Sequence, residues 1–193
     1  MFIELTDHLR CPRDHDEAYL VLLPDEIVGR AVRSGQLGCP VCGMTFPVTD
    51  GAAELGDGPA ASAPALPAHA MHAFLGLTGP GGYVVLAGSA ADGWRALSEL
   101  NPGVALVAVN PTPEIADAAP VLSVVRAPIL PLKARSMRGV VLGGTLGSDP
   151  HWVADAARVT LPGLRVVGWG PEPDVPGLDL VASADGCWVA ARR

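Results

Sequence analysis

The chain has a single lysine, Lys133, against twelve arginines, and aromatic residues fill only 5% of its 193 positions. No apolar stretch approaches the ~20 residues that a bilayer-spanning helix needs, so a membrane span is excluded. With aromatics scarce, a core must come from Val, Leu, Ala and Ile, and a hydrophobic content of 49% supplies them. The opening MFIELTDHLRCP has neither the basic nor the apolar region of a signal peptide. Only four cysteines are present, three of them clustered, which fits a reducing cytoplasm better than a disulfide framework. Basic charge is short as well. The net charge is −7, and residues 1–60 hold ten acids against four arginines, while residues 61–193 are almost balanced. Without a basic stripe, direct nucleic-acid binding is disfavoured. The acidic first third instead suits a basic protein partner.

Composition divides the chain. Residues 56–68, GDGPAASAPALPA, are too rich in small residues and proline to sustain a helix or strand, and read as a linker. They separate a module of residues 1–55 from a domain of residues 69–193. So small a module buries little core and needs a staple such as a metal. In the second part, apolar runs at Tyr83–Leu86, Val104–Val109, Val121–Val125, Gly139–Leu142 and Leu164–Trp169 read as strands. They are short and continuous, as suits a sheet covered on both faces. Helix-compatible stretches lie at Ala90–Leu100, Pro113–Ala118 and Pro150–Leu161, the last with Asp149 as N-cap before a proline. Leu178–Ala182 and Cys187–Ala191 flank an Asp185-Gly186 turn and predict a closing antiparallel hairpin. The expected class is α/β, an open Rossmann-like sheet ending in a hairpin.

The cysteines carry the most specific chemistry. Cys39-Pro40-Val41-Cys42-Gly43 is a metal knuckle whose glycine lets the backbone turn back toward the ion. Cys11 adds a third sulfur. The fourth ligand is His15, whose neutral imidazole suits zinc among sulfurs, or else Asp14, which stands where a second knuckle would place cysteine. Four protein ligands leave no open position for water, so the expected role of zinc is structural. Cys187, beside Trp188, reads as a small buried hydrophobe.

These residues carry a resemblance. "LRCP", a helix-compatible insert at Pro24–Ser34, "GQLGCPVCGMTFPVTDG" and the strand and turn Phe46-Pro47-Val48-Thr49-Asp50-Gly51 are similar to the Trm112-like zinc-ribbon domain. The family usually has cysteine at the position of Asp14. Its members bind and stabilise methyltransferases, or precede a methyltransferase domain in the same chain. The resemblance therefore implies a zinc-ribbon module and a methyltransferase among its partners.

Residues 70–193 resemble, in their order of elements, a class I S-adenosylmethionine (SAM)-dependent methyltransferase. "YVVLAGSAADGWRAL" stands at the first strand, glycine-rich loop and first helix, and "VALVAVNPTPEI" at the second strand. "SVVRAPILPLKARSMRGVVLGG" spans strands three and four, and "LRVVGW" with the final hairpin matches strands five to seven. The resemblance implies a SAM crevice served by Gly88, Asp92 and Asn110. The acids that would hold SAM are depleted. Asn110 stands where a ribose-binding acid is expected, and Arg126, which has no acceptor for an adenine amine, occupies the other acidic position. Asp92 also reads as the N-cap of the following helix. The loop Gly143-Gly144-Thr145-Leu146-Gly147 lacks an Asn/Asp-Pro-Pro-aromatic signature, and His69, His72 and His151 are isolated. The reading is a zinc-binding, non-catalytic methyltransferase-like protein, a pseudoenzyme working through protein contacts. The alternatives are an active SAM-dependent methyltransferase and a binder of a small anionic ligand near Arg126. Apolar surface at a lost pocket would also serve a homodimer.

Overall fold

Val21–Val28 (β1) and Ala31–Gly38 (β2) form an antiparallel hairpin where a helical insert was expected over Pro24–Ser34. The local chemistry explains the difference. Val21, Ile27, Val28 and Val32 are β-branched and prefer extended backbone, Pro24 is unsuited to a helix interior, and Gly29 adopts a left-handed φ of 62° at the turn. Two further antiparallel strands follow, Thr45–Thr49 (β3) and Ala52–Glu54 (β4). All of this belongs to a computed structural model that describes residues 1–193.

The chain then crosses to Ala68–Leu75 (α1), which ends on Gly76 in the left-handed region. The apolar runs downstream become strands: Tyr83–Ala87 (β5), Ala105–Val109 (β6), Leu122–Arg126 (β7), Met137–Leu142 (β8) and Thr160–Trp169 (β9). Between them lie Trp94–Leu100 (α2), entered through a 3-10 turn at Gly88–Gly93, and Pro150–Val159 (α3). Asp149 caps α3 as expected, its carboxylate accepting from the amides of His151 (2.8 Å) and Trp152 (3.4 Å). The stretch Pro113–Ala118 makes turns and no helix. Six residues are too few to offset helix nucleation, and the Asp117 side chain, 1% exposed, is drawn instead to the Met1 ammonium at 2.7 Å. Leu178–Ala184 (β10) and Cys187–Arg192 (β11) close the chain as a hairpin, with Asp185 and Gly186 at φ 52° and 78°.

All eleven strands join one mixed sheet in the order β1-β2-β3-β4-β7-β6-β5-β8-β9-β11-β10. The five central strands β7, β6, β5, β8 and β9 are parallel, and the hairpin is antiparallel to β9. The sheet continues across the boundary expected at residue 55. Ala52, Ala53 and Glu54 pair in parallel with Val124, Val125 and Arg126. One apolar cluster therefore mixes Leu5, Leu9, Leu37, Phe46 and Val48 with Val85, Val107, Val125, Val140 and Trp188. The N-terminal segment fills space that a β7–β8 crossover helix would otherwise cover. Leu9 bridges Leu132, the Arg10 amide donates to the Pro131 carbonyl, and that of Lys133 donates to His8. From α3, Arg158 donates to the carbonyls of Leu130 and Leu132 and to Asp155, and so holds the same loop. The opposite face packs Met71, Leu75, Trp94 and Leu97 of α1 and α2 on Val84, Leu86 and Leu106.

A core shared in this way has a direct consequence. A fragment of residues 69–193 would expose the face of β5, β6 and β7 that Leu5, Leu9, Leu37 and Phe46 now cover, and each buried Leu or Phe contributes roughly 1.5–3 kcal/mol. We expect that fragment to show no cooperative thermal melt by circular dichroism. A sharp transition close to that of the full chain would show that the two parts fold separately.

Candidate metal centre and cofactor crevice

The ligand atoms of Cys11, His15, Cys39 and Cys42 all lie within 4.8 Å of one another. Cys11 is placed by its amide bond to the Ala18 carbonyl, and Cys39 by the knuckle, where its amide donates to Met44 and its carbonyl accepts from Gly43. Gly43 turns at φ 70°, as the knuckle requires. A tetrahedron built on bonds of about 2.3 Å to sulfur and about 2.0 Å to nitrogen has edges of roughly 3.8 Å between sulfurs and roughly 3.5 Å from sulfur to nitrogen. The Cys11 and Cys42 sulfurs are 3.8 Å apart, and Cys39 Sγ lies 3.5 Å from His15 Nε2. His15 Nδ1 sits 2.6 Å from the Asp16 carbonyl, so Nδ1–H donates there and the Nε2 lone pair faces the sulfurs. The donor set and spacing fit a metal ion. Asp14 is exposed and lies outside the cluster.

Burial pushes the Cys11 thiol up to about 11. Burial also acts to raise Cys39, but the amides of Cys42 and Val41 outweigh it and bring that thiol down to about 7. His15 is raised, first by its bond to Asp16. A thiolate at Cys39 is the natural first ligand for an arriving cation, since only the deprotonated sulfur coordinates. Cys187 is buried in β11, away from the cluster, and burial raises its thiol.

The second expected site lies where β5 is flanked by β6 on one side and β8 on the other. In an open parallel sheet, ligands bind at the carboxyl ends of the strands where the order reverses. Gly88 is there, at φ 61°, with Leu146 packed 3.1 Å from where a Cβ would stand. Asn110 follows β6 at φ 50°, but both ends of its side chain are committed to one neighbour. Its Nδ2 donates to the Ala127 carbonyl at 2.7 Å, and its Oδ1 accepts from the Ala127 amide at 2.9 Å. Asp92 is exposed and accepts from Thr112 Oγ1 at 3.3 Å; it does not cap α2. Arg126 is paired with Glu54 at 2.8 Å, a partner reachable only because β4 lies beside β7. The charge expected to attract an anionic ligand is thus already matched.

The crevice holds the chain itself. The expected linker runs along the carboxyl ends of β7, β6, β5 and β8 as an ordered strap. The Leu55 amide donates to the Arg126 carbonyl, and Gly58 lies against Asn110 Nδ2 and the Ala127 carbonyl with no room for a Cβ. The Ser62 carbonyl presses on Gly144, and Ser62 Oγ is 3.2 Å from both the hydroxyl and the amide of Thr145. The Pro64 carbonyl accepts from the Gly144 amide at 2.9 Å and from Ser89 Oγ at 3.0 Å. An open depression of about 290 Å³ remains between the strap, Asn110, Pro111 and the Glu54–Arg126 pair. As arranged, these residues do not fit SAM, because its place along the strand ends is filled by residues 58–64. Sequence reasoning missed Ser62, Pro64, Ser89 and Thr145; the only signal was glycine and proline recurring in the presumed linker. His151 and Trp152 line a separate cleft of about 350 Å³ with Arg10, Asp155 and Arg158. Asp155 and the Leu130 and Leu132 carbonyls engage those arginines.

Metal loading should be all-or-none at the four ligands. Purified protein is expected to carry a single zinc ion per chain, and Cys39→Ser to carry none, as measured by atomic emission. The Cys39 thiol is lowered on folding, so its thiolate is retained in the fold down to about 7 and lost as pH falls through that value. Protons compete with the ion for the same sulfurs, so zinc retention should fall on acidification, at a pH below that value because the bound ion itself favours the thiolate. Full retention by Cys39→Ser would refute the assignment.

No protein-family model matches the chain, and no curated protein matches it. Among solved structures it is similar to the complex between the Haloferax volcanii Trm112 methyltransferase activator and a putative methyltransferase, at 15% identity and a TM-score of 0.49, covering 65% of this chain and 89% of that one. It is also similar to the antibiotic-resistance methyltransferase Kmr, at 13% identity and a TM-score of 0.44, covering 70% and 98%. A putative methyltransferase from an antibiotic biosynthesis pathway of Anabaena variabilis follows at 19% and 0.42, covering 53% and 44%. Likenesses this remote assign no activity to the chain.

Proposed function

We propose that this chain is a zinc-binding protein of the methyltransferase-like type that acts through protein contacts and transfers no methyl group. The observation that carries this reading is the filled crevice: Gly58, Ser62 and Pro64 lie across the carboxyl ends of the central strands, where an open parallel sheet receives its ligand. Two further facts support it. Asn110 spends its amide on Ala127, and Arg126 spends its charge on Glu54. In this reading Cys11, His15, Cys39 and Cys42 hold zinc in a Trm112-like ribbon. The ion acts as a staple, since four protein ligands leave no position for a reacting water.

The protein contact is assigned to the ribbon. Val21, Leu23, Ile27, Val28, Val41 and Met44 are between 41% and 63% exposed, and Asp14, Asp16, Glu17, Asp25 and Glu26 are exposed around them. Apolar side chains rimmed by acids suit a protein partner with an apolar patch bordered by arginine or lysine. A methyltransferase is the partner that the Trm112-like resemblance points to, and a second copy of the chain is the next. Free thiols in a metal cluster suit a cytoplasmic setting.

Calorimetry and thermal shift with SAM and its demethylated product test the reading. Ligand at 100 times its dissociation constant would stabilise the fold by about 2.7 kcal/mol. No heat and no shift at millimolar ligand is the expected result. Micromolar binding by the unmodified protein would overturn the reading in favour of an active methyltransferase.

A further inference from the structure

The strap is attached differently from everything around it. Between Leu55 (2% exposed) and Leu66 (9%), no side chain is buried, and most of residues 56–65 are exposed. What holds them is a short series of polar contacts: Leu55 to Arg126, Ser62 to Thr145, and Pro64 to Gly144 and Ser89. A segment with few buried apolar contacts and solvent-accessible hydrogen bonds lies at the low end of local stability and opens without unfolding its neighbours. The surface beneath it is built from the sheet and does not depend on the strap for its shape. Gly88 turns at φ 61°, the Gly143 amide donates to the Ala87 carbonyl, and Asn110 is braced on Ala127.

The donors beneath the strap point to what it replaces. The Gly144 amide, the Ser89 hydroxyl and the Thr145 amide converge on strap oxygens, those of Pro64 and Ser62. Donors gathered side by side at a strand-end turn are the arrangement that receives a carboxylate or another oxygen-rich group of a small molecule. Here the Pro64 carbonyl satisfies the Gly144 amide and the Ser89 hydroxyl, and Ser62 Oγ satisfies the Thr145 amide. We propose that residues 56–65 are a displaceable plug, in which the Pro64 carbonyl takes the place of a ligand's acceptor group and strap and ligand exclude one another. The proposal rests on the reading above, in which the closed protein is silent toward SAM, and adds the strap to the committed side chains of Asn110 and Arg126 as a cause of that silence. The apparent affinity of such a crevice is its intrinsic affinity scaled by the fraction of molecules with the strap lifted.

The test uses the full chain with a site-specific protease sequence in place of residues 57–61. Cleavage leaves both halves joined through the β4–β7 ladder and the shared core. SAM and its demethylated product are the probes, titrated into uncleaved and cleaved protein, with circular dichroism confirming that the fold persists. The expected result is an affinity at least about tenfold higher after cleavage. Should the cleaved protein not stay folded, a variant with ten Gly/Ser residues inserted after Ala60 is read the same way, since longer loops cost little. Folded but equally silent protein overturns the plug. Binding that is equal before and after cleavage also overturns it, and binding by the unmodified protein overturns the proposed function separately. A second readout does not involve SAM. The Gly144 amide, bonded to the strap, should exchange with solvent at least about tenfold faster than the Gly143 amide, bonded within the sheet. Equal protection of the two would show a strap that does not lift.

Discussion

The three-residue ladder between β4 and β7 is the contact on which the rest of the molecule depends. Ala52, Ala53 and Glu54 are enough to make the N-terminal antiparallel ribbon and an open parallel sheet into one sheet. That pairing fixes two outcomes at once. It turns the ribbon's apolar row, Leu22, Leu37 and Phe46, toward the face that holds Val107 and Val125. It also delivers the chain, at Leu55, to the carboxyl end of β7. From there the shortest route to α1 on the far side of β5 passes over the strand ends. The strap lies in the crevice because the seam releases it there.

Joining edge to edge also removes the need for helices that an open sheet usually carries. No helix links β6 to β7 or β7 to β8, and each connection is a loop held by polar contacts. Asp155 and Arg158 clamp the second loop from α3, and buried Asp117 ties the first to the N-terminal segment. Such clamps depend on being complete. A carboxylate left buried without its partner costs far more than the pair contributes. The N-terminal residues are therefore part of the sheet domain's core and cannot be regarded as an appendage.

Much of this was legible in the sequence, for reasons that mark where reading stops. The strands of the second part declared themselves because parallel strands covered on both faces read as unbroken apolar runs, and Asp149 and Asp185-Gly186 carry local chemistry that acts within a few residues. The gathering of Cys11, Cys39 and Cys42 with His15 was legible because knuckle spacing is local, and His15 could be preferred over Asp14 as their neighbour on donor chemistry alone. The β1–β2 hairpin was not. Over Pro24–Ser34 the strand tendency of Ile27, Val28 and Val32 decides only when β3 is present to complete the ladder. Neither the β4–β7 seam nor the strap's course could be read, since both are long-range pairings made through backbone groups that every residue carries. Arg126 shows the cost of that blindness. Taken alone it is a cation at a cofactor position, whereas in the fold it is half of an ion pair whose partner lies 72 residues earlier in the chain.

Metal site and crevice are linked through the ladder that separates them. The knuckle sits where β2 gives way to β3, with the Cys39 amide bonded to Met44 just beyond the last pair, Gly38 opposite Thr45. An ion pinning Cys39 and Cys42 would fix the length of that turn, and with it the register of β3 on β2. In a sheet with one buried face, a slip of one residue would reverse every side chain. Here Phe46 and Val48 would leave the core, and Ala53 with them through the β3–β4 pairing. The seam to β7 and the point where the strap begins would move as well. Holding four ligands at one end of the ribbon thus specifies which backbone carbonyl arrives over Gly144 at the other. A metal ion held at that cluster would set a register, with the closed crevice as the most distant consequence of that choice.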